Sequence, residues 1–547
     1  MALAHRRIRL LFALFAGLLV VGALRDADLG TLQAAHLSAV ATEHQVVSGT
    51  VTPLRGAIFD RNGDALALSE PGDDIEAYEV AKPYEAAVKL APILHQSVAT
   101  LAHTLVSHRA FQYLARQLPA ARANSIAALD IPGIALATDD IRYYPFGALA
   151  GQVLGGVHIN GSGAGGLEQE LNGQLAGRSG ESSTVYAANG KPISVNVARQ
   201  TRPGESVRLT LDAALQGEAE TVLAGVGHTY DPVSASAIAM NPRTGAVLAL
   251  ANWPSANPNN PGSGTNWKDS AIELNYEPGS TFKIVVVGGA LSDGLITPNT
   301  PFSVPSQLEF DGRTINDSTE HGDETLTTTG IIAQSSNIGA VEIGQMLGAS
   351  RFHYWTQRFG FGQLTGIDLP GEEQGIVPPL SDYNNFSMGN LPFGQGESVT
   401  PIQLANAYAA IANGGILRAP HIVESVGGVH QRAPAAHRIL TPTVAAEMRT
   451  ILESPLQAGG TASEISIPGY ALAGKTGTAN VAIPGGYSDT KYVASFVGFA
   501  PAQNPKIEVE VVVDQPQGGA IYGTDAPAHA WQTIMEWALR YLKIPPS

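Results

Sequence analysis

The longest apolar run lies at the start of the chain. Residues 10–24 (LLFALFAGLLVVGAL) carry no charge, follow Arg6, Arg7 and Arg9, and are closed by Arg25 and Asp26. As a helix such a run spans ~22 Å, short of the ~30 Å hydrocarbon core of a bilayer. Snorkelling arginines or local thinning can close that gap. Two readings stand for this segment. One is an uncleaved anchor with a cytoplasmic N-terminus, which the cations before the run favour. The other is a cleaved signal, with Val21-Gly22-Ala23 as the small-residue cleavage site. Both place the rest of the chain outside the cytoplasmic membrane.

Residues 26–50 carry little pattern and read as a juxtamembrane connector. From Tyr78 to Leu129 the pattern reads as helix-rich, with Leu90, Ile93 and Leu94, then Phe111, Leu114 and Leu118, at helical spacing. A Gly-rich turn covers residues 155–166. The texture changes at Thr201-Arg202-Pro203-Gly204, where the main domain boundary is placed. Beyond it a short strand is expected over residues 207–211, with Asp212 capping the next helix. Residues 235–240 and 246–251 are apolar runs joined by Asn241-Pro242-Arg243-Thr244-Gly245, a hairpin signal. Residues 492–499 and 507–513 form a second such pair. Trp531, Ile534, Met535, Ala538, Leu539 and Leu542 share one helical face, which predicts a terminal helix laid on a sheet. Strands at both ends of this region and helices between them predict an α/β chain of the α+β type, with one antiparallel sheet built from distant segments.

Composition narrows the classes. At ~150 residues per domain, 547 residues hold two to four domains. With 44% hydrophobic and 15% charged residues, the chain is too apolar to be disordered. A net charge of −16 argues against broad binding to a phosphate backbone. Cysteine is absent, which excludes disulfides, thiolate metal sites and thiol nucleophiles.

Three short motifs carry candidate chemistry. In Pro278-Gly279-Ser280-Thr281-Phe282-Lys283 the first two residues break structure and a helix can begin. Lys283 then lies one turn below Ser280, within reach of its hydroxyl. A lysine kept neutral by a dry, positively charged surrounding could take the serine's proton. The bland reading is a capped helix with a surface lysine. In Gln334-Ser335-Ser336-Asn337 the hydroxyl of Ser335 and the carboxamide of Asn337 can face one cleft; the bland reading is a polar helix cap. In Lys475-Thr476-Gly477-Thr478, read as an edge strand, Gly477 lets a substrate backbone approach while Lys475 and the threonines line one side. Its bland reading is a Gly turn with a solvated lysine.

Two other matches are decoys. Residues 469–476 fit the phosphate-binding pattern G-x-x-x-x-G-K-[ST], but Gly477, Asn480, Pro484, Gly485 and Gly486 would break the helix it needs. Residues 161–166 fit G-x-G-x-x-G with no βαβ unit around them. What decides the reading is the ordered set Ser280/Lys283, Ser335/Asn337 and Lys475/Thr476/Gly477, the set of penicillin-binding proteins and class A β-lactamases.

On these motifs the chain resembles a class B penicillin-binding protein, a monofunctional peptidoglycan D,D-transpeptidase. Residues 55–63 (RGAIFDRNG) resemble that family's membrane-proximal signature, and Gly165-Gly166-Leu167-Glu168 its second N-terminal one. Residues 277–284, 359–372 and 393–415 are similar to stretches of its catalytic domain. The resemblance implies a penicillin-binding/β-lactamase-like transpeptidase domain over 206–547 and a non-catalytic pedestal over 25–205. It also implies an uncleaved anchor over 10–24 and a cytoplasmic tail over 1–9. It makes Ser280 the acylated nucleophile, Lys283 its general base, Ser335 and Lys475 a proton relay, and Asn337 a holder of the donor peptide. Thr476, Gly477 and Thr478 would bind substrate, and the backbone N–H groups of Ser280 and Thr478 would form the oxyanion hole.

The reaction implied is release of D-alanine from a stem peptide and transfer of the acyl group to a neighbouring amine, with β-lactams as trapping mimics and no metal or cofactor. A SEDS-type membrane glycosyltransferase and other divisome proteins are the implied partners. Residues 492–499 (YVASFVGF) look more like the division subgroup than the elongation type, which remains the alternative. A β-lactamase would need a group to activate deacylating water, and a penicillin-sensing receptor would need several membrane spans. A scaffold without turnover is the third rival, and the intact motifs argue against it.

Overall fold

The computed structural model describes residues 2–33, 46–107, 111–186, 192–262 and 265–547. The chain opens with helix α1 (Ala2–Ala27), whose Leu10, Phe12, Leu14 and Leu18 are all exposed. The helical stretch from His5 to Thr31, 27 residues with an 18-residue window of mean hydropathy 2.0, is long and apolar enough to cross a membrane. It outruns the apolar run because the arginines on both flanks continue the helix. The connector read over 26–50 falls partly outside the described residues; within it a strand begins at Val46.

The chain forms two compact units. The first gathers residues 1–54, 70–141 and 177–204. In it Val46–Val51, Gly180–Tyr186 and Pro192–Arg199 make an antiparallel three-stranded sheet. Helices Pro83–Leu94, Val98–Val106 and Ala120–Ala127 bury Leu90, Leu94, Leu101, Leu105 and Ile126 in a core with Ile75, Leu114 and Leu118. Leu114 and Leu118 do not sit on a helix. They belong to the strand Gln112–Pro119, antiparallel to residues 72–77, and Phe111 precedes it. Positions four apart share a face in a strand as well as in a helix, so their spacing could not separate the two. The bulky aromatics Phe111 and Tyr113 favour the strand.

The second unit gathers residues 55–69, 142–176 and 205–547. Asp212 caps α2 (Ala213–Tyr230) by accepting from the N–H groups of Ala214 and Leu215. Two hairpins follow the expected pairing. β1 (Ser234–Met240) pairs with β2 (Val247–Trp253). Far along the chain, β3 (Ala473–Ile483), β4 (Gly486–Ala500) and β5 (Ile507–Asp514) pair in series. β5 also pairs with β1, so one antiparallel sheet runs β2-β1-β5-β4-β3 and β3 is an edge. Ile507, Val509, Val511 and Val513 pack on α2 and on the terminal α7 (Ala526–Tyr541) through Trp531, Ile534, Met535, Ala538 and Leu539. The indole of Trp531 donates to Val509 O at 2.9 Å. Val512 and Val497 face the opposite layer, built on α3 (Lys283–Ser292), α4 (Thr328–Gln334), α5 (Asn337–Leu347) and α6 (Pro401–Ala412). The three motifs lie in this unit.

In the same unit Glu168 is fully buried and shared by Arg55 and Arg142, at 2.5 and 2.6 Å. The two N-terminal signatures therefore meet through one carboxylate. Gly163 and Gly166 lie against neighbouring backbone, so residues 161–166 are a packed Gly-rich loop.

Candidate active site

Ser280 stands on a single 3-10 turn, Gly279–Phe282, that feeds directly into α3 at Lys283. Gly279 has φ 55 and faces Thr478 O at a distance no Cβ could tolerate, so glycine is required there. The turn is tied down from both sides: Gly279 N donates to Gly394 O at 3.0 Å, and Tyr408 on α6 donates to Thr281 O at 2.9 Å. Glu277 accepts from Gly396 N and from the Tyr487 hydroxyl, at 3.1 and 3.0 Å.

Lys283 Nζ lies 2.9 Å from Ser280 Oγ. It also reaches Ser335 O at 2.6 Å and Asn337 Oδ1 at 2.9 Å, with Ser335 Oγ at 3.3 Å. A neutral amine has two N–H donors for the two carbonyl oxygens and one lone pair left for the serine proton. Burial lowers the Lys283 pKa to about 7, and Asp317 opposes that fall. The site therefore holds a lysine that is substantially neutral near pH 7, the condition for a general base.

Ser335 ends α4 in the left-handed conformation, φ 64, and Ser336 caps α5 by accepting from Gly339 N. The bland cap reading is thus right for Ser336, and the two residues between the helices turn Ser335 and Asn337 to one side. Lys475 Nζ donates to Ser335 Oγ at 2.9 Å. Burial and the nearby Lys283 hold the Lys475 pKa well below the ordinary lysine range. Ser280, Lys283, Ser335, Asn337 and Lys475 thus form one hydrogen-bonded set.

Lys475 is on a strand, not before a helix, so residues 469–476 lack the geometry of a phosphate loop. Strand alternation also corrects the expectation that Lys475, Thr476 and Thr478 line one side. Lys475 and Gly477 share the face towards the helical layer, whereas Thr476 and Thr478 point the other way. Lys475 Nζ still reaches Thr476 Oγ1 at 3.2 Å, and Thr478 Oγ1 accepts from Gly523 N at 3.0 Å. A Cβ at Gly477 would come within 2.8 Å of Pro278 O and 3.0 Å of Thr281 Cγ2. The glycine is therefore demanded by the nucleophile turn itself, whatever a substrate requires.

Sequence reasoning missed Asp317. Its Oδ1 accepts from Asn337 N at 2.5 Å and Ile338 N at 3.0 Å, and His321 Nε2 lies 3.1 Å from Oδ2. It caps α5 from a loop twenty positions upstream, where no local pattern could mark it.

Residues 235–536 match the penicillin binding protein transpeptidase domain, and residues 50–209 match the penicillin-binding protein dimerisation domain. Penicillin-binding protein PbpB of Mycolicibacterium smegmatis is 31% identical, over 97% of this chain and 89% of its own. The peptidoglycan D,D-transpeptidase FtsI of Escherichia coli is 32% identical, over 91% and 85%. Among solved structures, penicillin binding protein 3 of Mycobacterium tuberculosis complexed with ampicillin superposes with a TM-score of 0.73 at 29% identity, covering 91% of this chain and 97% of that one.

Proposed function

This chain belongs to the class B penicillin-binding proteins and is a serine-type peptidoglycan D,D-transpeptidase, and from that premise we propose how its own residues carry the reaction. Ser280 Oγ attacks the carbonyl of the penultimate D-alanine of a stem peptide while Lys283 takes the hydroxyl proton. The C–N bond to the terminal D-alanine breaks, and the proton passes through Ser335 and Lys475 to the departing amine. The acyl group is left as an ester on Ser280. An amine of a neighbouring stem peptide then attacks the ester, forms the cross-linking amide and restores the serine. Asn337 holds the donor peptide and Gly477 admits it to the edge strand β3; Thr476 and Thr478, which alternate to the other strand face, meet its terminal carboxylate at that edge, where Thr476 Oγ1 lies 3.2 Å from Lys475 Nζ. The backbone N–H groups of Ser280 and Thr478 stabilise the oxyanion. A β-lactam enters by the same attack, and its opened ring blocks the second step.

The observation that carries this reading is the buried Lys283 amine 2.9 Å from Ser280 Oγ, with its pKa lowered to about 7 by burial. The test is intact-mass analysis of the full chain in detergent after incubation with benzylpenicillin. A persistent one-to-one adduct mapping to Ser280, absent from Ser280→Ala, is expected. Labelling that survives in Ser280→Ala sinks the assignment, and rapid turnover to hydrolysed penicillin would make the protein a β-lactamase instead.

The setting we infer is septal wall synthesis, supported by relatives named for FtsI and PbpB. In this setting residues 10–24 anchor the chain in the cell membrane in a single pass, residues 1–9 lie in the cytoplasm, and the catalytic domain over 206–547 lies outside it. The cations before the apolar run support that orientation. Residues 25–205 are assigned as the pedestal. The polymerase partner that the family resemblance implies is a SEDS-type membrane enzyme of the divisome.

A further inference from the structure

The nucleophile turn rests on the sheet through a buried polar layer that the acyl-transfer chemistry does not use. β5 reads Ile507-Glu508-Val509-Glu510-Val511-Val512-Val513-Asp514, and its alternation looks like a strand with one wet face. The structure buries that face: Glu508 is 0% and Glu510 1% exposed. Register places Glu510 opposite Val497 and Gly477 opposite Ser495, so both side chains share the face of Lys475. The Tyr276 hydroxyl donates to Glu510 Oε1 at 3.1 Å, and the Ser495 side chain lies close to that hydroxyl. Ser495 Oγ in turn fills the space beneath Gly477, where Pro278 and Thr281 of the nucleophile turn come down on the strand. Tyr408, which holds Thr281 O, faces both glutamates.

This arrangement is costly. Among the described residues Glu510 Oε2 and both Glu508 oxygens have no hydrogen-bond partner. Burial and the neighbouring carboxyl push Glu508 well above the usual carboxylate range, and burial does the same to Glu510 against the opposing hydrogen bonds from Tyr276 and the Ala405 backbone. An apolar side chain of equal volume would avoid the desolvation penalty. What an apolar side chain could not do is accept from Tyr276, whose backbone is already fixed by paired hydrogen bonds with Val399 at 3.0 and 2.9 Å, four residues before Ser280.

We propose that Glu510 is a positioning residue for acyl transfer: through Tyr276 and Ser495 it sets the separation between the Ser280 turn and the strand residues 475–478. The inference rests on the transpeptidase reading above. Because the acid is expensive to bury, its effects on rate and on stability separate, and that separation is what an experiment can read.

The test uses the full chain in detergent as wild type, Glu510→Met, Glu510→Gln and Tyr276→Phe. Acylation by benzylpenicillin is followed over a concentration series, so that the maximal rate and the half-saturating concentration come apart. Glu510→Met and Tyr276→Phe are each expected to lower the maximal rate about tenfold, the worth of one well-placed hydrogen bond, with half-saturation within about twofold. Glu510→Met should keep or raise Tm, because it removes a buried acid. Glu510→Gln keeps an acceptor oxygen for Tyr276 and should return the rate to within about threefold of wild type. The proposal is overturned if folded Glu510→Met and Tyr276→Phe acylate within about twofold of wild type. It is equally overturned if Glu510→Gln is as slow as Glu510→Met, or if rate falls only where Tm falls. A wild-type protein that is not acylated at all would remove the transpeptidase reading and this inference with it; slow variants beside a labelled wild type test the inference alone.

Discussion

The lowered pKa of Lys283 sets the pH dependence of acylation. The perturbation is pH itself, followed by Asp317→Asn. A base must be neutral to accept the Ser280 proton, so the rate is lost as pH falls through its pKa. With a pKa of about 7, half of the Lys283 amines are neutral at pH 7. For an ordinary lysine near 10.5 the neutral fraction there would be ~3 in 10,000, so burial contributes a factor of about 10³ in competent enzyme. Below the inflection the neutral fraction falls tenfold per pH unit, to ~1% at pH 5. The rate should therefore drop about fifty-fold between pH 7 and pH 5, and rise only about twofold from pH 7 to pH 9. The assay is the second-order rate of benzylpenicillin acylation across that range, read by intact mass.

Asp317 is the group that opposes the fall in Lys283, because its negative charge favours the ammonium form. Asp317→Asn keeps an oxygen for the N–H groups of Asn337 and Ile338 but removes the charge, so the inflection should move to lower pH. A flat profile would refute the argument, and so would an inflection near the ordinary lysine value or an upward move in Asp317→Asn.

Three further changes test other parts of the structure. Lys283→Arg should abolish acylation in a folded protein, because a guanidinium cannot shed its proton near neutral pH; wild-type labelling rates would show that another group is the base. Gly477→Ala forces a Cβ against Pro278 O and Thr281 Cγ2, so thermal melting should show about 1–3 kcal/mol of destabilisation with slower acylation. Glu168→Ala deprives Arg55 and Arg142 of the carboxylate they share, and urea unfolding should register a loss of about 3–5 kcal/mol. A stability within about 0.5 kcal/mol of wild type would show that the cluster is not held by this carboxylate.

What could be read from the sequence was whatever local rules govern. The Asp212 cap, the two hairpins and the terminal helix all follow from spacing and turn chemistry within about twenty residues, as does the spacing inside each motif. Where two periods coincide, the reading failed: Leu114 and Leu118 satisfy both a helix and a strand, and only pairing with residues 72–77 chooses. β5 shows the converse. Its reading as an apolar hairpin strand is right, but the burial of Glu508 and Glu510 depends on α6, a remote element that no local pattern joins to it. A single sequence also treats a domain as one stretch of chain. It cannot express a compact unit that recruits residues 55–69 and 142–176 from ahead of the texture change at 201–204.

The site divides along the same line. Ser280 and Lys283 are one helical turn apart, so their contact was legible. Their chemistry was not, because a lysine spaced three from a serine is an ordinary cation until something dries it. The drying comes from apolar residues around α3, and the opposing charge comes from Asp317, which no motif includes. Likewise Gly477 is a glycine for a reason its own strand does not contain: the turn at Pro278 and Thr281 descends onto it, and Ser495 fills the floor beneath. Residue identity proposes the reacting groups, whereas the distances between elements remote in sequence decide whether those groups react. A substitution that alters those distances, such as one at Glu510 or Gly477, should therefore change the rate while leaving every motif intact.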